Sequence, residues 1–135
     1  MASRRITDLC ADLRRIAKTF LSDCEAAGLD VVIICTYRSN SEQAELYASG
    51  RNGKGVIVTN CKPGQSKHNA TEAGAPGARA FDAVPITNGK VDWSTDEGHC
   101  HQWARMGQIG QNLGLEWGGA WLGHLRDFPH FQLPD

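Results

Sequence analysis

Ile6, Leu9, Leu13, Ile16, Ala17, Phe20 and Cys24 recur at helical spacing with charged residues between them, and Gly28 stands where such a helix would stop. "LDVVIICTY" follows as a continuous apolar, β-branched run, the pattern of a buried strand. Ser39 and Glu42 have the S-x-x-E spacing of a capping box and predict a short helix through Leu46 and Tyr47, closed by Gly50. Over residues 51–78 the periodicity lapses into glycine, asparagine, proline and small residues, broken only by the apolar residues 56–58. A loop of that length inside a compact domain is usually functional. Alternation returns in "RAFDAVPI", then the turn signal Asn88-Gly89, then "KVDW", which together predict a hairpin. Trp103, Met106, Ile109 and Leu113 predict a second amphipathic helix ending at Gly114, with Gly107 and Gly110 as poor helix formers inside it. "LEW" and "HFQL" read as two further short strands. The sum is an α+β fold: a small, largely antiparallel sheet with helices packed on one side, in one domain spanning residues 1–135.

Composition adds limits to this picture. Hydrophobic content of 41% and charged content of 21% are those of a globular chain. The net charge of −1 offers no electrostatic footprint for nucleic acid. The early basic residues alternate with Asp8, Asp12 and Asp23, as on a solvated helix face. No run approaches the roughly 18 apolar residues of a membrane span, and the N-terminus lacks the apolar core of a secretory signal. The expectation is therefore a monomer made in the cytoplasm, with no membrane insertion. Cys10, Cys24, Cys35, Cys61 and Cys100 form an odd set without a CxxC pair, and the first three read as small buried hydrophobes.

Three polar residues stand beside breaks in structure. His68 lies in "SKHN" within the long loop, Asp82 lies on the strand "AFDAV" opposite Phe81 and Ala83, and His130 opens the last strand. Two imidazoles and a carboxylate suffice to hold a catalytic zinc with a water in the open position. Asp127, three residues before His130, could then serve as a general base without being a ligand. Taken singly, each of these residues is equally an ordinary polar loop or surface residue.

"SKHN…ARAFDAV" and "LRDFPHFQL" resemble the S-x-H…A-x-D and D-x-P-H-F-[EQ] signatures of a family of zinc peptidases. The family includes D-Ala-D-Ala carboxypeptidases, vancomycin-resistance D,D-dipeptidases and phage L-alanyl-D-glutamate endolysins. "TYRSNSEQAELYASGR" resembles its upstream Y-R-S-x-x-x-Q-x-x-L-Y segment, and "LGLEWGGAW" the stretch before its last zinc ligand. The resemblance covers about residues 37–133, in the family's order. It implies the D-Ala-D-Ala carboxypeptidase or hedgehog-like fold and a zinc ion held by His68, Asp82 and His130. It also implies Asp127 as general base, Arg38 as the cation near the reacting carbonyl, and Ser66 and Gln43 as substrate contacts. Two departures stand out. "ATEAGAPG" widens the family's interval between His68 and Asp82, and Gln132 stands where many members carry Glu.

Rival residues exist. His99, Cys100 and His101 are adjacent and point apart, so a solvated helix start explains them better than a second metal site. His124 competes with His130 as ligand but lacks its Phe and Pro setting, and Glu116 competes with Asp127 as base or is a paired carboxylate lining the cleft. Of the tryptophans, Trp121 in its Gly-rich loop is the candidate to border the cleft. Three functions follow. The first is a phage endolysin that cuts the L-Ala–D-Glu bond of peptidoglycan stem peptides, reaching the periplasmic wall after the host membrane is permeabilised. The second is a D-Ala-D-Ala carboxypeptidase, and the third a zinc-stabilised binding module without catalysis. Asp127 and Arg38 beside an open ligand set disfavour the third. The absence of a signal and of a wall-binding module favours the first, aimed at a thin Gram-negative wall.

The odd cysteine count and the cytoplasmic reading predict five free thiols and no disulfide. Thiol titration of the denatured, unreduced protein should give a count of five; a count near one would show two bridges.

Overall fold

The computed structural model describes residues 2–51 and 55–135. After a 3-10 turn at Ile6–Asp8, the elements are α1 (Ala11–Ala26), β1 (Val31–Cys35), α2 (Asn40–Ala48), β2 (Thr71–Glu72), β3 (Ala75–Pro76), β4 (Ala80–Thr87), β5 (Lys90–Val91), α3 (Cys100–Asn112), β6 (Glu116–Trp117) and β7 (His130–Gln132). The main sheet runs β1-β4-β7-β6, with β5 also on β4, and its paired strands are antiparallel. This is the α+β arrangement that the hydrophobic pattern predicts.

Leu13, Ala17, Phe20 and Cys24 share one face of α1 and are fully buried, as the helical period requires. They meet Trp103 and Met106 of α3 and the sheet residues Ile33, Phe81, Ala83 and Phe131 in one core. Phe20 sits at its centre, with ring centroids 5.3 Å from Phe81 and 4.9 Å from Phe131. The alternation of β4 turns Phe81 and Ala83 into this core and leaves Asp82 for the opposite face.

Local signals in the sequence locate their elements well. Both bonds of the Ser39–Glu42 capping box are present, at 2.9 and 3.1 Å. Asn88 and Gly89 both take positive φ, 53° and 77°, as a two-residue hairpin turn demands. All five cysteines are free.

Elsewhere the structure corrects the pattern. Ile6 and Leu9 precede α1 instead of lying in it, and β1 is shorter than the apolar run that contains it. Residues 56–58 stand exposed and form no regular element, as the lapse of periodicity there implies. The segment "ATEAGAPG" folds as the β2–β3 hairpin, with Ala73 and Gly74 both at positive φ. Its Glu72 carboxylate accepts from the Ala11 backbone N–H at 2.8 Å, which caps an otherwise unpaired donor at the start of α1. Ala78 then pairs with Leu9, so the insertion is fastened to the N-terminal end of the chain.

Gly107 and Gly110 explain themselves through packing. A Cβ on Gly107 would collide with the Trp117 ring, and one on Gly110 with the Phe131 ring. Their bare backbone lets α3 lie directly on β6 and β7. Gly110→Ala should therefore destabilise the protein, because overpacking costs about 1–3 kcal/mol against a helix-propensity gain of about 1 kcal/mol. A thermal melt should show a Tm lowered by about 5 °C; an unchanged or raised Tm would mean that helix and sheet have room to part.

Candidate active site

Three strands bring their functional residues to one rung of the sheet. Asp82 on β4 lies opposite His130 on β7 and opposite Cys35 on β1. The second pairing depends on a bulge, because Ile33 faces Ala83 while Cys35 faces Asp82, leaving Ile34 as the extra residue. His68 arrives from the 3-10 turn Lys67–Asn69, which Ser66 caps by accepting from the His68 N–H at 3.2 Å. Two further bonds hold that turn to the segment after β1: the Arg38 N–H donates to the His68 carbonyl at 2.9 Å, and the Asn69 amide donates to the Arg38 carbonyl at 2.8 Å.

Asp82 Oδ1 is the centre of the cluster. It is buried, has no hydrogen-bond partner among the described residues, and lies 3.3 Å from His68 Nε2 and 3.4 Å from His130 Nδ1. A buried carboxylate oxygen is costly unless something positive compensates it. Burial opposes the charged forms of both His68 and Asp82, but their mutual attraction wins. It pushes His68 up to about 10 and holds Asp82 well below the usual carboxylate range. A cation beside Oδ1 would serve the same purpose. A tetrahedral ion with bonds of about 2.0–2.2 Å sets its ligand atoms about 3.3–3.6 Å apart, and the two distances around Oδ1 fall in that range. The donor set fits a metal ion.

The ring orientations agree with that reading. His68 Nδ1 lies 2.8 Å from the Thr36 carbonyl, which can only accept, so the proton sits on Nδ1 and Nε2 is left facing Asp82. Among the described residues, the set whose potential ligand atoms all lie within 4.8 Å of one another is Cys35, His68 and Asp82, and His130 joins it through Asp82. Cys35 Sγ, however, lies 3.6 Å from His68 Nδ1, the nitrogen turned to Thr36, and receives Arg38 Nη2 at 3.6 Å. Its sequence reading as a small buried hydrophobe holds for its burial and misses this neighbourhood.

A cleft of about 470 Å³ opens over the cluster, lined among others by Arg38, Ser66, His68, Trp121, Asp127 and His130. Asp127 Oδ2 is 4.0 Å from His130 Nδ1, and its side chain is 47% exposed. Partial burial first, and then the Asp82 carboxylate, raise the Asp127 pKa, while His130, His68 and Arg38 pull it the other way. A carboxylate of raised basicity at the edge of a ligand set is placed to accept a proton. Its backbone is fixed by Gly118, whose carbonyl accepts from the Asp127 N–H at 2.9 Å. A side chain on Gly118 would drive into the Asp127 carbonyl, a constraint the sequence reading did not single out.

Gln43 departs from its expected place. It is fully buried, its carbonyl accepting from Arg38 Nη1 at 2.9 Å and its amide donating to the Cys61 carbonyl at 2.8 Å. It aims Arg38 and holds the cleft wall, and cannot touch substrate. Glu116 is not among the residues lining the cleft, contrary to its alternative reading; its carboxylate is bonded to Gln132. The His124 side chain lies outside the described residues. His99 precedes α3 with Nδ1 2.7 Å from Asp96 Oδ1, which fits the solvated helix start. Trp121 does border the cleft, its ring centroid 5.3 Å from that of His130.

Comparison with known proteins agrees with this architecture. The model of the VanY family, described as D-alanyl-D-alanine carboxypeptidase, matches residues 7–118. The peptidoglycan L-alanyl-D-glutamate endopeptidase CwlK of Bacillus subtilis (strain 168) is 35% identical over 131 residues, covering 91% of this chain and 74% of CwlK. Among solved structures, the L-Ala D-Glu endopeptidase ChiX of Serratia marcescens aligns with a TM-score of 0.66 at 23% identity, over 99% of this chain and 89% of that one. The LD-carboxypeptidase LdcB aligns at 0.68 and 15% identity, over 93% and 58%. The vancomycin-resistance D,D-dipeptidase VanXYg aligns at 0.61 and 18%, over 93% and 50%. The structures share the fold; the sequence match carries more, and on it the chain belongs to the VanY D-alanyl-D-alanine carboxypeptidase family of peptidases.

Proposed function

We propose that this chain is a zinc-dependent peptidoglycan endopeptidase that hydrolyses the L-alanyl–D-glutamate bond of cell-wall stem peptides. We propose further that it is a bacteriophage-type lysin, made in the cytoplasm of the infected host and acting on the wall once the membrane is breached. The observation that carries the reading is the gathering of His68, His130, Asp127 and Arg38 on one cleft, with Asp82 beside both imidazoles. The identity of 35% to an endopeptidase of that specificity supports the choice of bond. The family's description favours a second reading, a D-Ala-D-Ala carboxypeptidase.

His68, Asp82 and His130 would hold the ion through Nε2, a carboxylate oxygen and Nδ1. When bound, zinc would supply a Lewis acid for the scissile carbonyl and bring the pKa of a water toward about 7. Asp127 takes the proton of the attacking water and returns it to the leaving amine, a role suited to its place in the cleft wall 4.0 Å from His130 Nδ1. The Arg38 guanidinium, aimed by Gln43, stabilises negative charge developing on the carbonyl oxygen. Ser66 keeps His68 in place by capping its turn, and its position in the cleft wall leaves it within reach of substrate.

Each of His68→Ala, Asp82→Ala and His130→Ala should lose stoichiometric zinc, because binding requires the deprotonated ligand set. Metal analysis of the purified variants measures this. Full occupancy in His130→Ala, with loss in His124→Ala, would transfer the ligand role to His124.

Asp127→Asn should keep zinc and fold yet turn over purified peptidoglycan about 10²–10⁴-fold more slowly, since the near-isosteric amide cannot take a proton at neutral pH. A wild-type rate in this variant together with a dead Glu116→Gln would move the base to Glu116. In the same digests, mass spectrometry of wild-type products should find new N-terminal D-Glu. Released D-Ala without it would establish the carboxypeptidase instead.

A further inference from the structure

His130 presents Nδ1 to Asp82, and its other nitrogen is also committed: Nε2 lies 2.8 Å from Gln132 Oε1. The Gln132 amide nitrogen in turn donates to Glu116 Oε2 at 2.8 Å. The sheet builds this chain of contacts directly. Glu116 and Gln132 are cross-strand partners on β6 and β7, and Gln132 shares a strand face with His130 two residues away.

The order of donors and acceptors along the chain runs inward from Glu116. An ionised carboxylate only accepts, so Gln132 must offer Glu116 its NH₂ group and turn its carbonyl to His130. A carbonyl only accepts, so His130 must carry its proton on Nε2. Nδ1 is then the nitrogen whose lone pair would bind the metal. We propose that Glu116 and Gln132 are positioning residues that select the His130 tautomer competent to bind the metal, with the charge of Glu116 setting the direction of the amide. This rests on His130 being a metal ligand. It also gives the departure at Gln132 a physical meaning: unlike a carboxylate there, an amide can point either way and needs a neighbour to orient it.

Reversing the charge at the far end tests the idea without touching a ligand. In Glu116→Lys the ammonium donates, so the Gln132 carbonyl turns to it and the NH₂ group turns to His130. The imidazole then answers with a lone pair on Nε2 and a proton on Nδ1, facing the metal. Zinc affinity, measured by competition with a chromophoric chelator, should fall about 10–100-fold, the usual range for lost outer contacts. Adding Gln132→Glu should restore it, because the new carboxylate accepts from both the introduced ammonium and His130 Nε2–H. Gln132→Leu should also weaken zinc, because Nε2–H then loses its acceptor. Far-UV circular dichroism identifies any variant that fails to fold, in which case Gln132→Leu still decides: unchanged zinc affinity there would overturn the proposal. Wild-type affinity in Glu116→Lys, or no recovery in the double variant, would overturn the proposal. His130→Ala measured alongside separates the two failures: zinc retained there defeats the ligand reading and the relay together, whereas zinc lost there but kept in Glu116→Lys defeats the relay alone.

Discussion

Asp82 Oδ1 imposes the strongest demand in the molecule. It is a buried carboxylate oxygen on the strand at the middle of the sheet, without a hydrogen-bond partner among the described residues. Burying a charge costs several kcal/mol unless an opposite charge is fixed beside it. The fold meets that demand with two imidazoles, at 3.3 and 3.4 Å, one from a neighbouring strand and one from a loop pinned beside the strand on the other side. Because the carboxylate accepts either a protonated imidazole or a cation, a proton and a metal ion would compete for this place, and acid would weaken metal binding there.

The two imidazoles are oriented by different means. His68 Nδ1 faces a backbone carbonyl, Thr36, which no side-chain substitution can remove. His130 Nε2 faces a side-chain amide whose own direction depends on Glu116. The first device is part of the path of the main chain; the second is a matter of residue choice. Arg38 shows the same division. Its backbone is locked to His68 and Asn69, while its guanidinium is aimed by the buried Gln43. Outer contacts of this kind hold ligand and charge within the narrow geometry that catalysis needs.

What can be read from the chain is what local chemistry decides. The buried stripe of α1, the Ser39–Glu42 box and the Asn88-Gly89 turn each depend on a few neighbouring residues, and each is present. His68, Asp82, Asp127 and His130 are legible as candidates because their segments carry recognisable patterns, and the fold brings them together. Other features depend on contacts between distant segments. Cys35 reaches the rung of Asp82 only through the bulge at Ile34, and Gln43, a substrate contact by resemblance, is closed over by the residues around Cys61. Gly107 and Gly110 read as flaws in a helix because Trp117 and Phe131, which need their space, lie in later strands.

The widened interval between His68 and Asp82 shows why such a site tolerates insertion. A longer loop adds little closure entropy, since each doubling costs only about 0.6 kcal/mol. What would matter is displacement of its ends, and these are tied before the hairpin begins. The Arg79 N–H donates to the Lys67 carbonyl at 2.9 Å and the Gly77 N–H to the Ala70 carbonyl at 3.1 Å, so the extra residues close on themselves. Lys67 is held in addition by the Leu133 carbonyl and the Asp135 carboxylate. The hairpin then turns away from the cleft and finds its partner at the start of α1 through Glu72. The placement of His68 against Asp82 is therefore set by the anchors flanking the loop and not by its length, and the insertion can acquire a structural role beside α1 without disturbing that pair.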